Sequence, residues 1–355
     1  MATDRQPAKA PPVDWSVAIS TGQSLARGGP VVEPSEARAA VDELRDITAV
    51  AEQHVRDLTG LGHGLPLRDG DVVDRPGWVK AAAGGIAALT DGVLPGTYGG
   101  PLGNVLSGAA GVQAGMVLAF LSSRVLGQYD PFGGDTGDGR LLLVAPNIVG
   151  AQRALSVPAT DFRMWVCLHE CTHRLQFTAV PWLRDYFAGE VGRLLSSIDN
   201  NSLDALGRLP EVLKTAKERL RTGAQQFGPM GMIELFQSPE QKVLLDNLLA
   251  LSTLLEGHAD HVMDAVGPQV VPSVAVIRRR FAERRKGGGL LDRVLRSLLG
   301  VEAKVRQYAE GAAFTRDVVD SVGMTGFNAV WSSPETLPTR AEIADPVLWV
   351  RRVHG

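Results

Sequence analysis

The chain has 355 residues, of which 45% are hydrophobic and 21% are charged, and its formal net charge at pH 7 is -3. This composition is typical of a soluble globular protein. The nearly balanced charge excludes a general electrostatic attraction to nucleic acid or to anionic lipid. We therefore expect neither a nucleic-acid-binding nor a membrane-bound protein. Nothing in these numbers specifies an oligomeric state.

The N-terminal sequence "MATDRQPAKAPPVDW" contains no apolar segment of the kind that forms a signal peptide. Its Pro, Ala and Lys content predicts a disordered arm over residues 1–12. The two cysteines, Cys167 and Cys171, are four residues apart, which is too close for a useful structural disulfide. These features indicate a cytoplasmic protein whose cysteines are small buried side chains in a reducing compartment.

Helical periodicity dominates the first part of the chain. Residues 35–60 predict an amphipathic helix with Ser35 as its N-cap and Gly60 at its C-terminal end, and residues 75–91 predict a second helix. The apolar stretch 105–127 predicts a third helix. It resembles a membrane span, but its polar residues, its many glycines and its short strongly apolar core favour a packed internal helix of a soluble protein.

Residues 139–150, "GRLLLVAPNIVG", are the best candidate for a strand, because a short apolar run is bounded here by glycine and by Pro-Asn. A helix capped by Thr160 is predicted to follow and to stop before Pro181. Further helices are predicted at 190–220, 238–266, 272–286 and 288–308, before a Pro-rich tail of turns and one short helix. The sequence therefore predicts one mainly helical α+β domain over residues 13–355, with a minor sheet.

The stretch "CLHECTHRLQF", residues 167–177, carries the clearest chemical signal. His169 and His173 are four residues apart, so their imidazoles project from one face of a helix and suit two ligands of one Zn²⁺. Glu170 lies about 100° round the helix from His169. A carboxylate there can take a proton from a water molecule that the metal activates, as in the H-E-x-x-H metallopeptidases. The alternative is a buried helix whose histidines are satisfied within the core.

A catalytic zinc site usually has three protein ligands, so a third is expected outside this helix. The candidate segment is "LLEGHADHVMD", residues 254–264, on a helix with Ser238 as N-cap and Gln241 in a capping box. Glu256 and Asp260 share one face of that helix, so the first can bind zinc while the second accepts the free N–H of a ligand histidine. His258 and His261 form the rival ligand set, and together with Tyr186 and Tyr308 they are candidate donors to an oxyanion.

The stretches "WVCLHECTHRLQFTAVPWLRDYF", "LLEGHADHVMD" and "RVLGQYDPF" resemble the zincin-like metallopeptidase family of actinobacteria, some of whose members are labelled as associated with coenzyme F420 biosynthesis. The resemblance extends from "VDWSVA" to "LWVRRV", nearly the whole chain. It implies a zincin-like fold with the minor sheet beside the active-site helix. It also implies that His169, His173 and Glu256 bind the metal and that Glu170 is catalytic.

The expected function is that of a zinc-dependent hydrolase, most simply a peptidase acting on a peptide or protein substrate. The strand "LLLVAP" is expected at an edge of the sheet, where it would hold an extended peptide by backbone hydrogen bonds. Two alternatives stay open: a non-catalytic zinc protein, and an accessory protein associated with coenzyme F420 biosynthesis. The basic segment 277–289 most simply forms a solvated helix with ion pairs.

Overall fold

The computed structural model describes residues 11–93, 101–134, 139–199, 238–286 and 301–355. Two compact units divide the chain: residues 1–179 with 262–278, and residues 180–261 with 279–355. The α+β class, mainly helical with a minor sheet, is confirmed. The single domain over residues 13–355 stays a prediction. Most of the predicted arm lies outside the described residues, as do much of the 190–220 helix and the start of the 288–308 helix.

The first unit contains, in chain order, α1 (Trp15–Leu25), α2 (Pro34–Thr59), β1 (Asp71–Val73), α3 (Arg75–Thr90), α4 (Pro101–Ser122), β2 (Gly127–Asp130), β3 (Arg140–Val144), α5 (Ala145–Leu155) and α6 (Ala159–Ala179). The elements that follow are α7 (Leu183–Asp199), α8 (Pro239–Ala265), α9 (Val274–Lys286), α10 (Val301–Phe327), two short 3₁₀ helices (Asn328–Trp331 and Pro334–Thr336), α11 (Arg340–Ala344) and α12 (Pro346–His354).

The sheet of the first unit has the strand order β1-β3-β2 within the described residues. Strand β3 pairs with β1 in parallel and with β2 in antiparallel orientation. The strand predicted over 139–150 is therefore only half strand: it ends at Val144, and Pro146 lies in the first turn of α5, where a missing N–H costs no hydrogen bond. The prediction that "LLLVAP" lies at a sheet edge is wrong, because β3 is central and both its neighbours are paired to it.

The central strand β3 is a continuous apolar run, and its residues Leu141 to Val144 are buried. Leu142 and Val144 belong to a core cluster with Trp78 and Val79 of α3 and Leu118 of α4. Helix α6 packs against strands β2 and β3, and helix α2 packs against α6. This arrangement places the minor sheet directly beside the helix that carries the histidine motif.

The structure corrects two predicted N-caps, those of α2 and α6. Helix α2 begins at Pro34 after Glu33, so Ser35 is not its N-cap, whereas Gly60 ends it in the left-handed conformation, φ 72°, as predicted. Helix α6 begins at Ala159; Thr160 lies inside its first turn, where its hydroxyl donates to Glu43 at 2.6 Å instead of capping.

The capping box predicted for α8 is present. The backbone N–H of Gln241 donates to the Ser238 hydroxyl at 3.1 Å, and the backbone N–H of Ser238 donates to the Gln241 side-chain oxygen at 2.8 Å. These two bonds satisfy donors that would otherwise be left open at the helix start. The start of the helix that carries Glu256 is thereby fixed by its own sequence.

Helix α4 is long and apolar enough, over residues 103–122, to cross a membrane by length and composition alone. One side of it is buried against α1. A Cβ on Gly111 would lie 2.4 Å from the carbonyl oxygen of Asp14, and one on Gly115 would lie 2.6 Å from that of Ala18. The glycines therefore let the two helix backbones approach, which is the packing that their spacing predicts.

The second unit has its own aromatic core. The indole of Trp349 is fully buried, donates to the carbonyl of Thr336 at 2.8 Å, and packs edge-on against Phe314. Helices α8 and α10 cross closely, since a Cβ on Gly257 would lie 2.1 Å from the carbonyl carbon of Gly311. The Pro-rich tail forms the two 3₁₀ helices and two short helices, one more helix than predicted.

A buried cluster of charges holds α6 against α2. Glu52 of α2 forms ion pairs with Arg56 and with Arg174 of α6, and all three side chains are at most 6% exposed. Arg56 also donates to the carbonyls of Gly62, Leu65 and Pro66, and Arg174 donates to those of Arg68 and Asp69. The carbonyl oxygens of one loop thus offset the positive charge that the single carboxylate leaves uncompensated.

We predict that Glu52→Gln lowers the free energy of unfolding by about 3–5 kcal/mol, because it leaves two buried arginines without a counter-charge. The matched control is Asp42→Asn on the same helix, whose ion pair with Arg45 is at least 57% exposed on both sides. This control should cost less than about 1 kcal/mol. Urea unfolding followed by tryptophan fluorescence measures both, and equal losses would contradict the role of the cluster.

Candidate metal centre

Helix α6 brings the two motif histidines together. Their Nε2 atoms lie 3.1 Å apart, and the rings meet edge to face with centroids 4.6 Å apart. This geometry follows from the i, i+4 spacing of His169 and His173 on a regular helix. Both lone-pair positions therefore converge on one point beside the helix.

A carboxylate completes this group. The ligand atoms of His169, His173 and Glu256 all lie within 4.8 Å of one another, and each residue is half-buried. Two nitrogens bound to one tetrahedral Zn²⁺ at 2.0–2.1 Å would be about 3.3 Å apart, close to the observed 3.1 Å. Two imidazoles and one carboxylate are also a donor set that catalytic zinc accepts. The residues present fit a zinc ion.

Gln176 holds the ring of His173. Its side-chain oxygen lies 2.9 Å from Nδ1 of the histidine, and Gln176 is fully buried. An amide oxygen can only accept, so Nδ1 carries the proton and Nε2 presents its lone pair to the metal position. Gln176 is not among the residues predicted for the site, although its i, i+3 spacing from His173 was the available signal.

Glu170 is 6% exposed and lies against strand β2. A Cβ built on Gly127, the first residue of that strand, would lie 2.6 Å from Cγ, 2.7 Å from Cδ and 2.8 Å from Oε1 of Glu170. The carboxyl group therefore occupies the space that a side chain at position 127 would fill. Gly127 is not among the predicted site residues, because nothing in the sequence places it beside Glu170.

The other predicted site residues of α8 lie in different surroundings. His258 is fully buried among aromatic rings, with its centroid 5.1 Å from that of Phe327 and 5.6 Å from that of Trp331. Burial lowers the pKa of His261, although Asp320 acts in the opposite direction. The ligand group contains Glu256 and neither of these histidines.

Asp260 is half-buried, and its role as a partner of a ligand histidine stays a prediction. Asp264 is exposed near the end of α8 and forms an ion pair with Arg278. Burial raises the pKa of the Tyr186 hydroxyl, and the ring of this residue packs edge-on against Trp182. The side chain of Tyr308 lies outside the described residues. The roles of Tyr186 and Tyr308 as donors to an oxyanion therefore stay predictions.

The two cysteines of α6 are free and fully buried. Burial is the main reason that the pKa of the Cys171 thiol is raised to about 12, and it also raises the pKa of Cys167. Cys171 donates to the carbonyl of Thr48, on the α2 side of the helix. They pack as small apolar side chains, as the sequence predicted, and a thiolate ligand or nucleophile is unfavourable at either position.

Comparison with known proteins identifies the family of the chain. The model of the zincin-like metallopeptidase family matches residues 13–350. The chain belongs to the zincin-like metallopeptidase family. It is also similar to the crystal structure of a "putative hydrolase with a novel fold" from Chloroflexus aurantiacus, with 30% sequence identity and a TM-score of 0.65 over 96% of this chain and 99% of that one. No curated protein matches the sequence.

Membership of the zincin-like metallopeptidases implies a metal, typically zinc, and a hydrolase. The residues matched by the family model include the two α6 histidines and Glu256 of α8. The relation to coenzyme F420 that accompanies the sequence resemblance is not shown by these comparisons.

We predict that Gln176→Leu lowers the affinity of this zincin-like metallopeptidase for Zn²⁺ by about 10–100-fold, because His173 loses the acceptor that fixes its tautomer and ring orientation. Gln176→Glu keeps an acceptor at the same position and should bind zinc nearly as well as the wild type. Competition with a chromophoric chelator measures both dissociation constants. Equal affinity in the leucine and glutamate variants would contradict this role.

Proposed function

We propose that the protein is a cytoplasmic zinc-dependent peptidase in which His169, His173 and Glu256 hold the metal and Glu170 transfers protons. The observation that carries the proposal is the convergence of three ligand atoms within 4.8 Å beside a buried carboxyl group. Zinc, when bound, supplies a Lewis acid that polarises a carbonyl and makes a water molecule easier to deprotonate. The cytoplasmic location rests on the two free, buried thiols.

Glu170 is suited to proton transfer by its place on the helix. It follows His169 directly, so its side chain projects about 100° away from that ligand and stays beside the metal position. Its carboxylate accepts a proton from the attacking water at one oxygen and later donates it to the nitrogen of the leaving amine. Gly127 and the body of the sheet cover the other side of the carboxyl group and limit its access to bulk water.

The sheet supports a peptide as the substrate class. Strand β2 lies at the edge of the sheet in the described part of the chain, packs beside α6, and begins at the residue that contacts Glu170. An extended peptide can add to such an edge through backbone hydrogen bonds, with its side chains alternating between two faces. An added peptide would therefore pair with β2 and not with the central strand that contains "LLLV".

We predict that Glu170→Gln retains zinc at nearly the wild-type stoichiometry, because all three ligands remain. Its rate of peptide hydrolysis should fall by at least about 100-fold, because an amide cannot accept the proton. Zinc is measured by elemental analysis, and hydrolysis by mass spectrometry of a diverse peptide mixture. His169→Ala is the contrasting variant, since it should lose the metal itself.

Two outcomes separate this proposal from its alternatives. Equal cleavage by the wild type and by Glu170→Gln would rule out proton transfer by this residue. Full zinc content with no cleavage by the wild type, across peptide and ester mixtures, would favour a non-catalytic zinc protein. An accessory function in coenzyme F420 biosynthesis has no structural observation in its favour and is not proposed.

The third ligand is tested separately. We predict that Glu256→Ala weakens zinc binding by more than about 100-fold, a larger loss than removal of an outer partner causes. His261→Ala and Asp264→Ala, on the same helix, should retain zinc. Their dissociation constants come from the same chelator competition. Zinc loss in His261→Ala with retention in Glu256→Ala would instead assign the third ligand to the rival histidine set.

A further inference from the structure

Strand β2 contacts helices on both of its faces, and its four residues alternate between them. Gln128 accepts a hydrogen bond from the Trp78 indole at 3.0 Å, so it faces α3. Tyr129 packs against Phe177 of α6 with ring centroids 5.9 Å apart. Gly127 meets Glu170, also of α6. The period of two that governs side chains in a strand thus places positions 127 and 129 on the α6 face.

Contacts at both ends of β2 hold the strand beside α6. At its far end Asp130 is 4% exposed and accepts hydrogen bonds from the backbone N–H groups of Phe132 and Gly133 at 3.0 and 3.1 Å. Its carboxylate lies so close to Gly85 of α3 that a Cβ there would meet it at 1.9 Å. Contacts with α3 on one face and α6 on the other therefore fix the position of β2 across the sheet.

We propose that Gly127 is a positioning residue for Glu170: its missing side chain creates the space in which the carboxyl group must lie. The inference deepens the proposed function and rests on it, since the position of Glu170 matters for proton transfer. Contacts of 2.6–2.8 Å with an added Cβ are closer than van der Waals distance, so either the carboxyl or the strand has to shift. Because β2 is held from both faces, the carboxyl group is the part that shifts.

Glycine weakens a strand interior and often marks a place where another group approaches closely. Here the approaching group is the carboxyl of Glu170, whose Cγ, Cδ and Oε1 are the three nearest atoms. A glycine at this position is therefore explained by the site rather than by a turn. Its φ is not in the left-handed region, so backbone conformation alone does not require glycine.

The test is Gly127→Ala made in three backgrounds: wild type, Glu170→Gln and Glu170→Ala. Glutamine keeps the size of the side chain, whereas alanine removes the three atoms that the new methyl group would meet. We expect the substitution to lower Tm by about 2–8 °C in the wild type and in Glu170→Gln. In Glu170→Ala we expect no loss. Differential scanning calorimetry measures all the variants with the full chain and does not require activity.

Two other glycines give matched controls. A Cβ on Gly84, exposed on α3, meets nothing within 4 Å, so Gly84→Ala should raise Tm slightly, through the higher helix propensity of alanine, and equally in every background. A Cβ on Gly111 would collide with the α1 backbone, so Gly111→Ala should lower Tm equally in all three. A loss of Tm for Gly127→Ala that is the same in all three backgrounds would overturn the proposal.

Kinetics then distinguish positioning from packing. Gly127→Ala should keep its zinc, lower kcat by about 100-fold and change KM little, because a displacement of about 1 Å in a reacting group costs this much. Coupling in Tm with an unchanged kcat would overturn the positioning role. A wild type without hydrolytic activity would refute the proposed function, and a crystal structure of Gly127→Ala would then decide the inference: an unmoved Glu170 carboxyl overturns it.

Discussion

The ion pair between Glu52 and Arg174 is the constraint on which the rest of the structure depends. Arg174 projects toward α2, about 100° round α6 from His173 and about 140° from His169. The ion pair is at most 4% exposed, so water does not weaken it. Arg174 extends the contact to a loop, through the carbonyls of Arg68 and Asp69. The helix that carries the site residues is thereby fixed on its α2 side. Rotation or sliding of α6 would break these charged hydrogen bonds, so they hold the ligand histidines in place.

Two stripes of the same spacing divide the helix between fold and chemistry. Cys167, Cys171 and Arg174 follow an i, i+4, i+7 pattern and contact α2, where Thr48 lies beside both thiols. The site stripe has the same spacing two residues later and consists of His169, His173 and Gln176. Two residues correspond to about 200° of helix, so the stripes are nearly opposite. The close spacing of cysteines and histidines thus reflects one helix used on both faces.

The sequence predicted the parts of this arrangement that depend on spacing within one element. The convergence of His169 and His173, the capping box of α8 and the αL end of α2 are local consequences of residue type and helical period. It did not predict which strand lies at the sheet edge, because the order β1-β3-β2 is set by pairings between distant segments. Periodicity also could not show that Arg174 is buried, because its partner Glu52 is 122 positions earlier.

The residues that were missed share one property: their effect is on another side chain. Gln176 fixes the tautomer of His173. Gly127, which has no side chain, leaves the space that the Glu170 carboxyl group occupies. The five-residue H-E-x-x-H motif specifies which ligand and proton-transfer atoms are present. Neighbouring residues such as Gln176 and Gly127 set the directions in which these side chains point. Because both neighbours lie on rigid elements that are packed from two sides, the orientation of the site is a property of the α2, α6 and β2 assembly. A zinc ion at this site would bind to groups that are already oriented, so less of its binding energy would be spent on ordering them.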